Sequence, residues 1–494
     1  MITVDTDQKH MIIEGLVNAR EWEALVTILK KMPVVEVVEV LRELDMPDLM
    51  DVLKHFTEEE QGYIVSDFDL EMQMELYEQL GARSFARIFV HMASDLRADL
   101  YQELDREDQL KLLPYLDKKT RENVIRLSSY EPETAGGIMS TDFATIVGDM
   151  TAAQAIEKVR RDAPSKKMIY YLYVVDDDMK LHGFTTLKDL IMAEPQTSIW
   201  DIVYKDFALA EVDEDRETVA ARIEKYDLVA IPVINKYGQL AGIVRHDDAI
   251  EVIQAEQTED MEKFMGIVPD DEGLDYPETS VFSHFRKRIT WVASLAIIGV
   301  ISGMIIHRYE EAMSALIILA LYMPMVADSG GNVGSQAATV VIRAMALGQI
   351  SLKNWFMILF KEARIALLLS VVLGIIAFGK ILFLSWDTEL PQHFSLYFIA
   401  FGISLALSLQ VVTATLIGAS LPLIVKRLGG DPAVAASPAI TTMVDITGLL
   451  IYFGVAVMLF FWWAIAGTYM IHAALQDQKN LSLHKRPSHA TPFI

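Results

Sequence analysis

No cysteine occurs in the 494 residues, which excludes disulfides, thiolate metal sites and cysteine nucleophiles together. The opening MITVDTDQKH has neither a basic start nor an apolar core, so no cleaved secretory signal is expected and the N-terminal half is expected in the cytosol. Isolated histidines such as His55 and His91 occur, but no HExxH and no nucleophile–base pairing, so no enzymatic activity is expected. GIIAFGKI, Gly374 to Ile381, imitates a phosphate-binding loop but lacks the final Ser or Thr and lies in an apolar run. No nucleic-acid partner is expected.

Basic residues are scarce in one half only. Before Val281 the chain carries 29 Lys and Arg against 59 Asp and Glu; after it, 14 against 9. Yet 52% of all residues are hydrophobic, so an acidic soluble half precedes an apolar one. Five stretches of the apolar half are long enough to span a bilayer: Ile289 to Ile306, Ala312 to Leu347, Ile365 to Leu384, Phe394 to Val425, and Ala433 to Met470. Arg286 to Arg288, the group Arg343, Lys353, Lys361 and Arg364, and the pair Lys426 and Arg427 fall on one side, whereas SWDTELPQHFS has no Lys or Arg. The N-terminus is therefore expected inside and, after five crossings, the C-terminus outside.

Charge inside a span needs a reason, because inserting it costs at least about 2.5 kcal/mol. Asp445, in TTMVDITGLLIYF with Thr441, Thr442 and Thr447 near it, has no basic residue in its own span. It is either a protonated acid bonded to a neighbouring helix or a carboxylate on a cation path. In MPMVADSGGNVGSQAAT, Met323 to Thr339, Pro324 and the glycines Gly330, Gly331 and Gly334 are expected to loosen the helix and free carbonyls beside Asp328 and Asn332. GVISG, Gly299 to Gly303, and GGNVG, Gly330 to Gly334, have small-xxx-small spacing and are expected to mark close helix packing.

Two repeats organise the acidic half. Leu44, Phe56, Phe68, Leu80, Met92, Leu104 and Leu116 recur every twelve residues, and Val52, Ile64, Leu76, Ile88, Leu100, Leu112 and Val124 follow eight residues later in each unit. The position after the first series is Asp45, Thr57, Asp69, Gly81, Ala93, Asp105 and Asp117, mostly good N-caps, which predicts short capped helices stacked into a superhelix. Further on, LYVVDDDMKLHGFTTLKDLI and IPVINKYGQLAGIVRHDDAI align across 59 residues, each reading as strand, turn, strand and helix. The pair resembles tandem CBS domains. That resemblance implies adenine-nucleotide binding by Thr186 and Asp189; Arg245 stands where Thr186 would align in the second copy. After the pair, Asp248, Glu251, Glu256, Glu259 and Asp260 are expected on one continuous helix leading to the first span, where their mutual repulsion favours divalent cations.

Together with YEPETAGGIMST, AEQTEDM, GGNVGSQ, GGDPA and DITGLLIYFG, in that order, these features resemble the MgtE family of magnesium channels. The implied fold is multidomain: a cytosolic all-α superhelical N domain (1–130), an α/β tandem CBS pair (131–250), a connecting helix (251–284), five transmembrane helices (285–472) and an external tail (473–494). The implied function is Mg²⁺ import across the cytoplasmic membrane by a homodimer that cytosolic Mg²⁺ closes. By matching position, the pore ligands are Asp445, Asn332, Gly331 and Thr441; Ser335 stands where some members have Asn. The regulatory carboxylates are Asp95, Asp99, Asp215, Glu217, Asp227, Asp248, Glu251, Glu256, Glu259, Asp260 and Asp431. Mg²⁺ and an adenine nucleotide are the implied cofactors; the bilayer and a divalent substrate are the implied partners. The rival readings are a coupled carrier, a pore for Mn²⁺ or Co²⁺, and a membrane-tethered nucleotide sensor. The sensor gives Asp445 no role, and five spans do not divide into the matched halves typical of carriers.

Overall fold

The computed structural model describes residues 6–162, 168–269, 279–391, 394–435 and 437–461, so the tail expected over 473–494 lies outside the described residues. The chain divides after Gln254 into two compact units.

The first unit opens with helices α1 (Thr6–Ala19), α2 (Trp22–Leu29), α3 (Val34–Arg42), α4 (Met46–Leu53), α5 (Glu58–Ser66), α6 (Leu70–Phe89), α7 (Ser94–Glu103), α8 (Arg106–Leu112) and α9 (Lys118–Leu127). The twelve-residue period is the spacing of their starts. Asp45, Thr57, Asp69, Asp105 and Asp117 each cap a helix by accepting a backbone N–H bond from two or three residues on. Ala93 holds the same place without a side-chain bond, and Gly81 breaks α6 with a φ of +71°, a conformation glycine adopts without strain. Every member of the second apolar series is buried in one core with Phe56, Phe68, Met92, Leu104 and Leu116. Full burial of each such side chain stabilises by roughly 1.5–3 kcal/mol, so core formation and capping favour the same period.

Two similar modules follow. Strands β1 (Phe143–Val147), β2 (Met168–Val175) and β3 (Leu181–Thr186) form one sheet, and β4 (Ala210–Glu211), β5 (Ala230–Ile234) and β6 (Leu240–Arg245) the other. In both, the first pair is parallel and the second antiparallel, with Val174 opposite Gly183 and Val233 opposite Gly242, as the 59-residue alignment requires. Helices α10 (Ala152–Asp162), α11 (Leu187–Met192), α12 (Ile199–Ile202) and α13 (Arg216–Lys225) accompany the sheets. Ala98 and Leu127 of the helical region join Met139, Val219 and Val244 in one apolar cluster, which seats the helices on the second module. Ser94 Oγ, 2.9 Å from Ser140 Oγ, also accepts from the Thr141 N–H at 2.9 Å.

Helix α14 (His246–Met265) leaves the second module. It does not run on to the membrane part as expected: it stops at Met265, and Gly266 turns the chain with a φ of +72°. The second unit then holds α15 (Val281–Ile298), α16 (Val300–Arg308), α17 (Glu310–Ala315), α18 (Ile318–Ala346), α19 (Trp355–Leu384), α20 (Leu396–Arg427) and α21 (Ser437–Ala456). Among the described residues four stretches are long and apolar enough to cross a membrane: Val281–Arg308, Leu352–Leu384, Leu396–Arg427 and Ser437–Phe460. The expected span Ala312 to Leu347 is interrupted at Leu316 and Ile317; its main helix, α18, has length enough but a polar stripe. Helix α19 starts ten residues before the expected Ile365, because hydropathy ends at Lys361 and Arg364 whereas the helix does not.

Helix α18 packs on both α20 and α21. Here the sequence expectation is corrected, for α18 is one helix with Pro324 inside it and the glycines do not open it. They bring helices close: a Cβ on Gly418 would stand 2.0 Å from the Gly334 carbonyl oxygen, and one on Gly334 3.2 Å from that of Ala414. GVISG behaves otherwise. A Cβ on Gly303 meets nothing within 4 Å, so no described residue of this chain supplies the packing partner expected there. We expect Gly418→Leu to destroy the folded membrane half, seen as loss of the monodisperse peak in detergent, because backbone blocks the added volume. Gly379→Leu, on an open face of α19, should leave that peak unchanged.

Candidate functional site: a polar helix pair and two carboxylate clusters

Helix α18 has two unlike faces. Gly330, Gly331, Gly334, Ala337 and Ala338 are buried, whereas Asp328, Asn332 and Gln336, at i, i+4 and i+8, form an exposed polar stripe. The buried glycines admit α21. A Cβ on Gly331 would lie 2.9 Å from Thr441 Cγ2, and Ser437 Oγ donates to Ser335 Oγ at 2.9 Å. Thr441, Thr442 and Thr447 each donate their hydroxyl to a backbone carbonyl of the preceding turn, which leaves oxygen lone pairs available to a cation or its water. Asp445 is half-buried on this helix, and Asp328 lies near enough to act on it electrostatically. The sequence-derived Gly331, Asn332, Thr441 and Asp445 thus fall on one packed helix pair, with Asp328 as an acid the sequence left without a role.

The regulatory candidates fall into separate places. Asp95 and Asp99 lie on α7, and Arg245 reaches Asp95 from the end of β6. Its guanidinium holds Asp248 through two nitrogens, the Nε–H bond being 3.0 Å, and lies 3.0 Å from Asp247 and 3.7 Å from Asp95. Burial opposes the Arg245 charge, but the hydrogen bond to Asp248 and the fields of Asp248, Asp95 and Asp247 raise its pKa nonetheless. Asp99 is pushed up to about 7 by the crowding of protein around it and then by Asp95, Asp248 and Glu103. Burial likewise raises Glu251, with Asp247 adding to it. Asp215 instead caps α13, Glu217 lies in its first turn and Asp227 follows its last. Glu217 and Asp227 therefore stand at opposite ends of α13, Asp227 in the turn beyond it with a φ of +50°.

In the second unit Glu256, Glu259, Asp260 and Lys263 lie along one face of α14 at i, i+3, i+4 and i+7. Lys263 Nζ bridges Glu259 at 2.7 Å and Asp431 at 2.9 Å, while the other Asp431 oxygen accepts from the Ala433 N–H. Burial raises Asp260 to about 6, the charges of Asp431, Glu256 and Glu259 raising it further against Lys263. The next residue, Phe264, packs on Ala338, Ala414, Ile440 and Val444 of α18, α20 and α21. Sequence reasoning missed Lys263: the i, i+4 spacing to Glu259 was available, but Asp431 is 168 residues away.

Comparison with known proteins supplies the family. Residues 323–455 match a family of divalent cation transporters, MgtE; residues 32–133 match the MgtE intracellular N domain; and 135–195 and 199–255 each match the CBS domain. The magnesium transporter MgtE of Thermus thermophilus is 37% identical over 366 residues, 73% of this chain and 78% of that protein. The chain belongs to the MgtE family. The magnesium transporter MgtE of Bacillus subtilis is 30% identical over 87% of this chain and 90% of its own length. Among solved structures, the soluble part of a magnesium transporter aligns at 27% identity over 51% of this chain and 99% of that one, with a TM-score of 0.48. The cytosolic domain of the Mg²⁺ channel MgtE in complex with ATP aligns at 29% identity over 49% and 98%, with a TM-score of 0.46.

As an MgtE, the protein is a multi-pass membrane transporter with an intracellular N domain and a tandem CBS pair, and its family is not one of enzymes. In the first CBS module Thr186 caps α11, accepting from the Asp189 N–H at 3.0 Å and donating to the Asp189 carboxylate. Tyr204 also bonds Asp189, whose charge raises the phenol pKa. In the second module Asp248 accepts from the Arg245 N–H at 3.1 Å, so the local turn repeats while the arginine side chain fills the place of the threonine.

Proposed function

We propose that this MgtE carries Mg²⁺ into the cytosol through a pore lined by α18 and α21, with Asp445 as the acid that draws the ion in. The observation that carries this reading is the stripe Asp328, Asn332 and Gln336, exposed in the single chain beside Asp445 on helices of membrane length. Such a stripe is costly against lipid, so it faces water or a second copy. A two-fold dimer satisfies both, placing two Asp445 carboxylates about a shared axis. With α18 as the fifth crossing, the N-terminus is cytosolic and the C-terminus external. The N domain, about 1–130, coils as a superhelix ahead of the CBS pair at about 131–250.

Substrate chemistry agrees with the donors present. Asp445, Asn332 and the threonine hydroxyls are all oxygen ligands, suited to a hard cation that keeps much of its water. A carboxylate pair without a cage attracts the ion and still releases it.

Regulatory Mg²⁺ fits the remaining carboxylates only as a hydrated ion. Among the described residues no three Asp, Glu or His side chains converge closely enough to hold a bare one. Asp260 nonetheless sits in surplus negative charge that Lys263 does not cancel, and Asp99 sits beside Asp95, Asp248 and Glu103. Glu256, Glu259, Asp260 and Asp431 are the residues that would hold it in the second unit; Asp95, Asp99, Asp248 and Glu251 in the first. Phe264, beside Lys263, then couples that face of α14 to the α18–α21 pair. Thr186 and Asp189 are the residues for an adenine nucleotide.

The test is ion flux by purified protein in liposomes, compared for Mg²⁺, Mn²⁺ and Co²⁺ with no counter-ion gradient. Flux of Mg²⁺ under those conditions is expected; a requirement for a proton or Na⁺ gradient makes the protein a coupled carrier, and no flux at all makes it a sensor.

A further inference from the structure

Gln410 lies near the middle of α20, fully buried, in a stretch that is otherwise mainly apolar. It is accommodated because two other helices present glycine to it. A Cβ on Gly330 of α18 would lie 2.5 Å from Gln410 Nε2, and one on Gly448 of α21 would lie 2.6 Å from the same nitrogen. Even an alanine at either position displaces the amide. Between the two glycines, Nε2 donates to the Val444 carbonyl at 2.7 Å. The orientation of the amide follows from its partner, since turning it over would set oxygen against oxygen. Its Oε1 is then buried with no hydrogen-bond partner among the described residues. A methionine would fill the same slot without stranding an acceptor, so the amide adds geometry at the expense of stability.

That geometry bears on transport. The carbonyl Gln410 holds belongs to Val444, the residue before Asp445, and successive residues of a helix point about 100° apart. Fixing Val444 against α20 therefore fixes the roll of α21 and the direction in which Asp445 leaves it. The same amide rests on Gly330, two residues after Asp328. We infer that Gln410 is a positioning residue for ion selection, setting the placement of Asp445 relative to Asp328 by locking α21 and α18 onto one buried amide. The inference rests on the reading of Asp445 as the pore acid. Mg²⁺ demands a small, near-octahedral shell, whereas larger divalent ions accept irregular ones, so a looser roll erodes the preference for Mg²⁺ before it stops conduction.

The test compares Gln410→Met with wild type in liposomes: melting temperature in detergent, maximal flux, half-saturating Mg²⁺ concentration, and the Mg²⁺ to Ca²⁺ flux ratio. Gln410→Met is expected to keep or raise the melting temperature and to lower the flux ratio by about fivefold, the change equivalent to one hydrogen bond. An unchanged ratio and half-saturation overturn the inference, as does a loss of maximal flux and melting temperature at an unchanged ratio, which marks a purely structural role. Should Gln410→Met fail to fold, Gly448→Ala, which displaces the amide without removing it, is read by the same criteria. Asp445→Ala is run beside them. If it conducts like wild type the pore reading fails; if it is silent and Gln410→Met keeps the wild-type ratio, only the Gln410 inference fails.

Discussion

Asp445→Ala is expected to yield protein that assembles normally and passes no Mg²⁺ into liposomes above background. Asp445 is half-buried and, among the described residues, makes no bond on which the α21 contacts with α18 and α20 depend. Those contacts rest on Ile440, Val444 and Gly448, and its loss removes charge rather than packing. What disappears is the attraction that holds a hydrated divalent ion among hydroxyl and amide oxygens, none of which carries charge. Removing Asp328 by Asp328→Asn should instead leave conduction and alter the ion concentration for half-maximal flux, since it acts on Asp445 through its field. Undiminished flux in Asp445→Ala would remove the pore assignment.

Neutralising Glu256, Glu259 and Asp260 together to Gln, Gln and Asn is expected to spare conduction and abolish most of the closure caused by high cytosolic Mg²⁺. The three residues share a face of α14 with Lys263, one residue from the Phe264 contact with the membrane helices. In wild type the same closure should depend on pH in a stated direction. Asp260, at about 6, lies above the ordinary carboxylate range because it is partly buried among Asp431, Glu256 and Glu259, and Asp99, though exposed, is raised in the same direction by the crowding of protein around it and by its neighbours Asp95, Asp248 and Glu103, so both take up protons more readily than isolated acids do. As pH rises through their raised pKa values the protons leave, repulsion grows and the packed arrangement loses stability unless a cation replaces them. Lowering pH from about 8 to about 5.5 should therefore lower the Mg²⁺ concentration needed for closure, because protons then neutralise the carboxylates that the ion otherwise has to neutralise. Mg²⁺ inhibition that is unchanged in the triple variant, or independent of pH, would sink the assignment of these carboxylates.

Much of the fold was legible because it is written in local repeats. The twelve-residue period placed the helix starts at Asp45, Thr57, Asp69, Asp105 and Asp117, since capping chemistry and core burial share one spacing. The CBS alignment anticipated two like modules of strand, turn, strand and helix, because a strand–turn–strand unit is set within a few residues; the equal register of Val174 with Gly183 and of Val233 with Gly242 came from the structure. The polar pair of α18 and α21 was legible for a different reason: a carboxylate among apolar residues is conspicuous wherever the chain takes it. Features set by distant residues were not. Nothing near Gln410 announces that it meets Gly330 and Gly448, nor does AEQTEDM show that Lys263 will reach Asp431. Hydropathy also misjudged a length, ending α19 at its charges, because helix continuity depends on backbone bonding rather than on apolarity; and the spacing of the acids, which carried α14 on toward the first span, gave no sign of the stop at Gly266.

The bridge from Lys263 to Glu259 and Asp431 has a consequence for sensitivity. Both oxygens of Asp431 are already engaged, one by the ammonium and one by the Ala433 N–H. A divalent ion arriving there does not add to a vacant ligand; it displaces an attached cation whose local concentration is fixed by the length of its own side chain. Such an exchange discounts the ion's intrinsic affinity and moves the set point upward. If the cluster is the proposed Mg²⁺ sensor, an exchange of this kind makes it ignore trace metals and answer to an ion present in abundance.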